Sequence, residues 1–114
     1  MNTELSRTER IVIKIDGRML FLNAHDIDIV KAAGNYVEIH TQGRKYLTRE
    51  TMNGIESRLP DDSFLRIHRS TIINTARIQE MQAWYHGEYQ IKLSTGSVVY
   101  LSRGYRHQLR RLLL

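Results

Sequence analysis

Phe64-Leu65-Arg66-Ile67-His68-Arg69-Ser70-Thr71-Ile72-Ile73-Asn74 is the stretch on which the fold turns. Over residues 65–68 apolar and polar side chains alternate with the two-residue period of a strand. Leu65 and Ile67 then point into a core, and Arg66 and His68 share the opposite face. That polar face runs into Arg69, Ser70 and Thr71, and no acid lies between Asp62 and Glu80. A basic, donor-rich edge of this kind is built to meet an anion, with nucleic acid the leading candidate. The competing reading is a solvated strand face whose arginines pair with Asp61 and Asp62, because exposed ion pairs are common and contribute little.

Working outward, the same alternation recurs on both sides of this stretch. Residues 11–15 alternate and meet Asp16-Gly17, a dipeptide suited to a tight hairpin, so residues 18–22 form the return strand. Residues 27–30, 36–41 and 44–48 repeat the theme, punctuated by Gly34-Asn35 and Gln42-Gly43. Met52, Ile55 and Leu59 fall instead at helical spacing and Pro60 stops the run, which predicts a short helix over 50–59 with Thr48 or Thr51 as its cap. Strands are expected again over 77–81, 89–93 and 98–101, with an aromatic turn at 84–88. Leu109, Leu112 and Leu113 sit at helical offsets in a short C-terminal helix. The architecture is mostly β, a sandwich or open barrel with one or two short helices, preceded by a tail or linker end over residues 1–9.

The bulk numbers bound the function. A chain of 114 residues is one domain, and its 41% hydrophobic and 25% charged content is that of a globular protein. With no cysteine there is neither a disulfide framework, nor a thiolate metal site, nor a cysteine nucleophile. No long apolar run or basic-then-apolar leader is visible, so a cytoplasmic protein without membrane contact is expected. The net charge is +5 and the pI about 9.8. Arg66, Arg69 and Arg77 occupy an acid-free segment, as do Arg103, Arg106, Arg110 and Arg111, whereas Asp26, Asp28, Glu50, Glu56, Asp61 and Asp62 lie elsewhere. Such segregation makes one pole positive, the electrostatic footprint of a nucleic-acid binder.

Catalytic chemistry finds no support. Histidines 25, 40, 68, 86 and 107 show no zinc spacing, neither HExxH nor a phosphate loop occurs, and Ser70 near His68 lacks the strained turn and orienting carboxylate of a triad. No enzyme, cofactor or metal site is expected. Trp84, Tyr85 and Tyr89 could stack on bases, but their spacing favours core and turn packing. Asn35 reads first as turn chemistry and second as an adenine or phosphate partner. Ser102 would cap a helix carrying Arg103 and Arg106 at its start, an anion site by construction.

Together, Ala33-Gly34-Asn35-Tyr36-Val37, Arg58-Leu59-Pro60, the block at residues 64–70, Ile73-Asn74 and Leu101-Ser102-Arg103 resemble a LytTR-type DNA-binding domain over residues 11–113. Such domains form the output module of bacterial two-component response regulators. The resemblance implies an elongated sandwich of small antiparallel sheets, about ten short strands in all, without a recognition helix. It implies that strand-end loops enter successive major grooves of double-stranded DNA. Asn35, Arg69 and Arg103 with Gly104 match the contacting positions, and Arg66, His68, Ser70 and Arg106 the supporting phosphate contacts. Expected partners are tandem duplex sites about one helical turn apart, a homodimer on that DNA, and a receiver domain upstream in a longer chain. The alternative is a protein-interaction or regulatory module of the same fold without DNA readout.

Overall fold

Each alternating run becomes one arm of an antiparallel ladder in the structure, a computed structural model that describes residues 10–113. The tail expected over 1–9 lies outside the described residues. The strands are β1 (Arg10–Ile15), β2 (Arg18–Asn23), β3 (Ile27–Ala33), β4 (Tyr36–Thr41), β5 (Arg44–Thr48), β6 (Phe64–His68), β7 (Thr71–Asn74), β8 (Ile78–Ala83), β9 (Tyr89–Leu93) and β10 (Val98–Leu101). One α-helix, α1 (Met52–Arg58), separates β5 from β6, and a 3-10 helix (Arg103–Arg111) follows β10. At Asp16-Gly17 and Gln42-Gly43 both turn residues have positive φ, the backbone hand that matches strand twist in two-residue hairpins.

The strands form three sheets: the β1–β2 hairpin, a five-stranded sheet of order β5-β4-β3-β7-β6, and a three-stranded sheet of order β10-β9-β8. The five-stranded sheet lies in the middle and is covered on both faces. One face packs Val30, Val37, Ile39, Phe64 and Ile72 against Ile11 and Ile13 of β1 and Met52 and Ile55 of α1. The other packs Ile29, Leu65, Ile67 and Ile73 against Ile91, Leu93, Val99 and Leu101, with Tyr105 and Leu109 of the 3-10 helix closing the end. Each fully buried isoleucine here contributes about 1.5–3 kcal/mol of burial free energy.

Polar residues brace these layers where chain segments meet. Thr51 caps α1, its hydroxyl accepting from Gly54 N–H at 2.9 Å; Thr48 instead donates to Lys14 O at 2.9 Å and ties β5 to β1. Asn74 is 1% exposed. Its amide donates to His25 O at 3.2 Å and Ile27 O at 2.9 Å, and its Oδ1 accepts from Ala76 N–H at 2.9 Å. No apolar residue can serve both sides of that junction. Arg77 also donates to His25 O, so Asn74→Ala leaves the Ile27 carbonyl and the Ala76 amide short of partners, and should lower the unfolding free energy in urea by about 2 kcal/mol.

Candidate nucleic-acid interface

The antiparallel order sends particular strand ends to the same edge. In the central sheet β3 and β6 finish there, β4 and β7 begin there, and β5 finishes there. Two backbone hydrogen bonds join the turns at this edge. Ala32 N–H donates to Ser70 O at 2.9 Å, and Ser102 N–H donates to Ile67 O at 2.8 Å. The Gly34-Asn35 turn, the Arg69-Ser70 turn and the start of the Arg103 segment thus stand side by side. Acidic Asp26, Asp61 and Asp62 belong to the connections before β3 and β6, at the opposite edge.

Arg66 sits differently from the sequence expectation. It is 8% exposed, on the α1 face with Phe64, and is not part of a solvent-facing strip. Both faces of the central sheet are covered, so a charged side chain on the second face must find partners inside. Arg66 Nη1 donates to Glu56 Oε1 at 2.7 Å and to Asn53 Oδ1 at 3.0 Å, both on α1. Its Nε donates to His68 O at 3.0 Å and its Nη2 to Arg69 O at 2.5 Å. The guanidinium is consumed in shaping the turn that follows β6. A bulge between Arg66 and His68 also breaks the two-residue period, so the two do not share a face. His68 instead lines an open groove with Lys31, Ser70, Thr71, Trp84 and Tyr100.

His68 Nδ1 accepts from Ser70 N–H at 3.1 Å and lies 2.8 Å from Ser70 Oγ. Accepting through Nδ1 assigns the proton of the neutral imidazole to Nε2, which keeps a donor for a ligand. Arg69, at the tip, is exposed and has no side-chain partner among the described residues. In the neighbouring turn Gly34 takes the left-handed step, with φ +64°. Asn35 is not needed for that step, and its exposed amide carries no hydrogen bond among the described residues.

The Ser102 expectation is corrected. Residues Arg103–Arg111 wind as a 3-10 helix, and the Ser102 side chain makes no capping bond; its carbonyl accepts from Tyr105 N–H at 2.9 Å. The segment presents the exposed side chains of Arg103 and Arg106, unpaired among the described residues, rather than a capped helix start. Arg77 leaves the positive pole as well, because its Nε donates to Asp28 Oδ1 at 2.6 Å and its Nη2 to His25 O at 2.8 Å. Arginine pairing with Asp61 or Asp62 does not occur among the described residues.

Two residues join this edge that the sequence reading passed over. Arg49 follows β5 and lines a cleft with Gly34, Asn35 and Tyr36. The hairpin register, with Val37 opposite Thr48, places Arg49 one step on, opposite Tyr36. That signal was present in the sequence. Lys31 pairs across the ladder with Glu38 and borders the groove beside His68. The Glu38 carboxyl is held below the usual carboxylate range, chiefly by its hydrogen bond with His40 at 2.7 Å, against desolvation and with help from His40, Lys45 and Lys31 charges. It stays ionised and tempers the field beside Lys31. Arg49, Asn35, Arg69, Arg103 and Arg106 therefore line one edge as a row of donors without a hydrogen-bond or ion-pair partner among the described residues.

Comparison with known proteins places this geometry. The family model of the LytTr DNA-binding domain matches residues 17–114. The sensory transduction protein LytT of Bacillus subtilis is 30% identical over 104 residues, covering 91% of this chain and 43% of the relative. The transcriptional regulatory protein LytR of Staphylococcus aureus is 34% identical over 97 residues, covering 85% of this chain and 39% of the relative. The chain thus spans about two fifths of the length of the curated relatives it matches. A solved LytTr DNA-binding domain from Bacillus cereus superposes with a TM-score of 0.79 at 22% identity, over 92% of this chain and 96% of that one, which establishes the fold.

The buried guanidinium gives a direct test of how the Arg69 turn is held. Arg66→Met should cost about 2–3 kcal/mol in urea unfolding, below the value for a fully buried pair because Glu56 is 44% exposed and can rehydrate. Amide exchange at Ala32 and Ser70 should accelerate more than at Ile73. Glu56→Gln, which keeps an acceptor, should cost about 1 kcal/mol or less.

Proposed function

The chain belongs to the LytTR DNA-binding domain family, and from that premise we propose that it is a sequence-specific, double-stranded DNA-binding domain of a bacterial transcription regulator. In this reading residues 10–114 are the output domain of a longer cytoplasmic response regulator with a receiver domain upstream. The family is one of DNA-binding domains and not of enzymes. No described helix is long and apolar enough to cross a membrane.

One observation carries the reading. Asn35, Arg69 and Arg103 occupy three turn tips on one edge, tied together by two backbone hydrogen bonds, and none of their side chains makes a hydrogen bond or ion pair among the described residues. Buried arginines serve structure; these are left for a partner. Arg69 suits guanine O6 and N7, and Asn35 an adenine edge or a phosphate. His68, Ser70, Arg106 and the added Arg49 supply phosphate donors that fix register. Arg66 acts one step back, as a positioning residue that holds the carbonyls of His68 and Arg69.

The molecule's longer dimensions, 43 and 40 Å, are comparable with the roughly 34 Å of one duplex turn, and in this reading its loops enter successive major grooves. Two protomers would then suit tandem sites about 10–10.5 base pairs apart.

Selection of bound sequences from random duplexes, followed by titration of the recovered duplex, tests the proposal. Neutralising about six phosphates should give a log–log salt slope of about −5, and a flat response or equal affinity for scrambled duplex would overturn specific binding. Arg69→Ala should weaken binding by about 1–3 kcal/mol and relax one base position. Its melting temperature should not move, because the exposed side chain makes no hydrogen bond or ion pair among the described residues.

A further inference from the structure

The β8–β9 turn is left over once the three tips have been assigned. In the three-stranded sheet β8 finishes, β9 begins and β10 finishes at one end, with Ala83 opposite Tyr89 and Leu101 opposite Tyr89. Because Ser102 is bonded to Ile67, that end coincides with the edge carrying Arg69 and Arg103. The turn between β8 and β9 therefore stands in the same row. It contains Trp84, Tyr85, His86 and Gly87, and it packs directly on the arginine segment. A Cβ built on Gly87 would lie 3.3 Å from Arg103 Cγ and Cδ and 3.5 Å from Arg106 Nη1.

Two features of the turn are costly unless something meets it. Tyr85 is 69% exposed and Trp84 36%, so of the core and turn packing expected for them only the turn packing forms. The rings are nonetheless fixed: Trp84 meets Tyr85 edge-on at 5.3 Å and Tyr100 at 5.9 Å. His86 adopts a left-handed conformation, φ 58° and ψ 32°, uncommon for a residue with a Cβ and concentrated at functional turns. Trp84 and Tyr100 also wall the groove whose polar lining is Lys31, His68, Ser70 and Thr71, with Glu88 its one acid. A rigid aromatic wall beside basic donors fits a sugar–phosphate strand, with the rings against deoxyribose and Tyr85 Oη and the His86 imidazole toward phosphate.

We infer that the β8–β9 turn is a fourth DNA-contacting element, gripping the backbone of the duplex alongside Arg103 and Arg106. The inference rests on the DNA-binding reading above and adds a contact to it. Since the grip is on the backbone, it contributes affinity and register without naming a base.

Trp84 is the chain's only tryptophan, so its fluorescence reports on this turn alone. Adding the selected duplex to the wild-type protein should change Trp84 emission and shield it from acrylamide quenching. The double variant Tyr85→Ala/His86→Gly, whose glycine keeps the left-handed step, should melt like the wild type. It should bind the selected and the scrambled duplex about tenfold more weakly alike, the worth of one hydrogen bond to a charged group. Hydroxyl-radical protection should also be lost on the sugars next to the Arg103 contact.

The outcomes separate cleanly. If the wild type binds duplex while Trp84 stays fully quenchable and the double variant retains affinity and footprint, the fourth contact is wrong and the three-tip reading stands. If the wild type binds no duplex, or prefers single strands, both fall together. Loss of preference for the selected site with scrambled binding intact would make the turn a base reader and overturn the backbone assignment.

Discussion

A charge that cannot reach water organises this domain. The central sheet is covered on both faces, and on β6 that leaves Arg66 beneath α1 with nowhere to put a guanidinium except against protein acceptors. Removing an arginine from water is expensive, and only a full set of hydrogen bonds offsets the cost. Glu56 and Asn53 supply the helix side, and the carbonyls of His68 and Arg69 supply the rest. The consequence reaches beyond stability. The carbonyls that satisfy Arg66 belong to the turn that projects Arg69, so the packing of α1 and the shape of a candidate reading tip are one arrangement. Ser70, fixed by His68 on one side and by Ala32 on the other, extends that arrangement to the Asn35 turn.

Much of the fold could be read from the chain because alternation and turn chemistry are local. The bounds of β4, β5, β9 and β10 follow from period-two runs ended by glycine turns, and Thr51 and Pro60 bracket α1. What escaped is what depends on distant elements. Periodicity says that the two faces of β6 differ; it does not say that the second face is roofed, and the roof is a helix about ten residues earlier in the chain. The bulge before His68 leaves no mark in residue types. Ser102 fits the capping pattern equally well for an α-helix or a 3-10 turn, and only the latter forms. Arg77 counted toward the basic pole until Asp28, remote in sequence, neutralised it.

The candidate site divides along the same line. Arg69, Arg103, Arg106 and Asn35 are exposed tips, and a tip can be recognised from a turn signal next to a donor. Arg66 carries the same donor chemistry, yet burial converts it from a ligand group into a brace. The exposed aromatics of the β8–β9 turn make the converse point: residue type suggested packing, and the sheet order brought them to the outer edge. Position relative to the sheet, more than residue type, separates the groups that hold the fold from those left for a partner.

The two bonds that unite the tips, Ala32 N–H to Ser70 O and Ser102 N–H to Ile67 O, run from main chain to main chain. No substitution of a side chain at Asn35, Arg69 or Arg103 deletes either one. The distances between the tips thus behave as a ruler cut into the backbone, and the side chains as interchangeable type set along it. Side chains at the tips can therefore change one position at a time while the spacing between the tips is inherited unchanged.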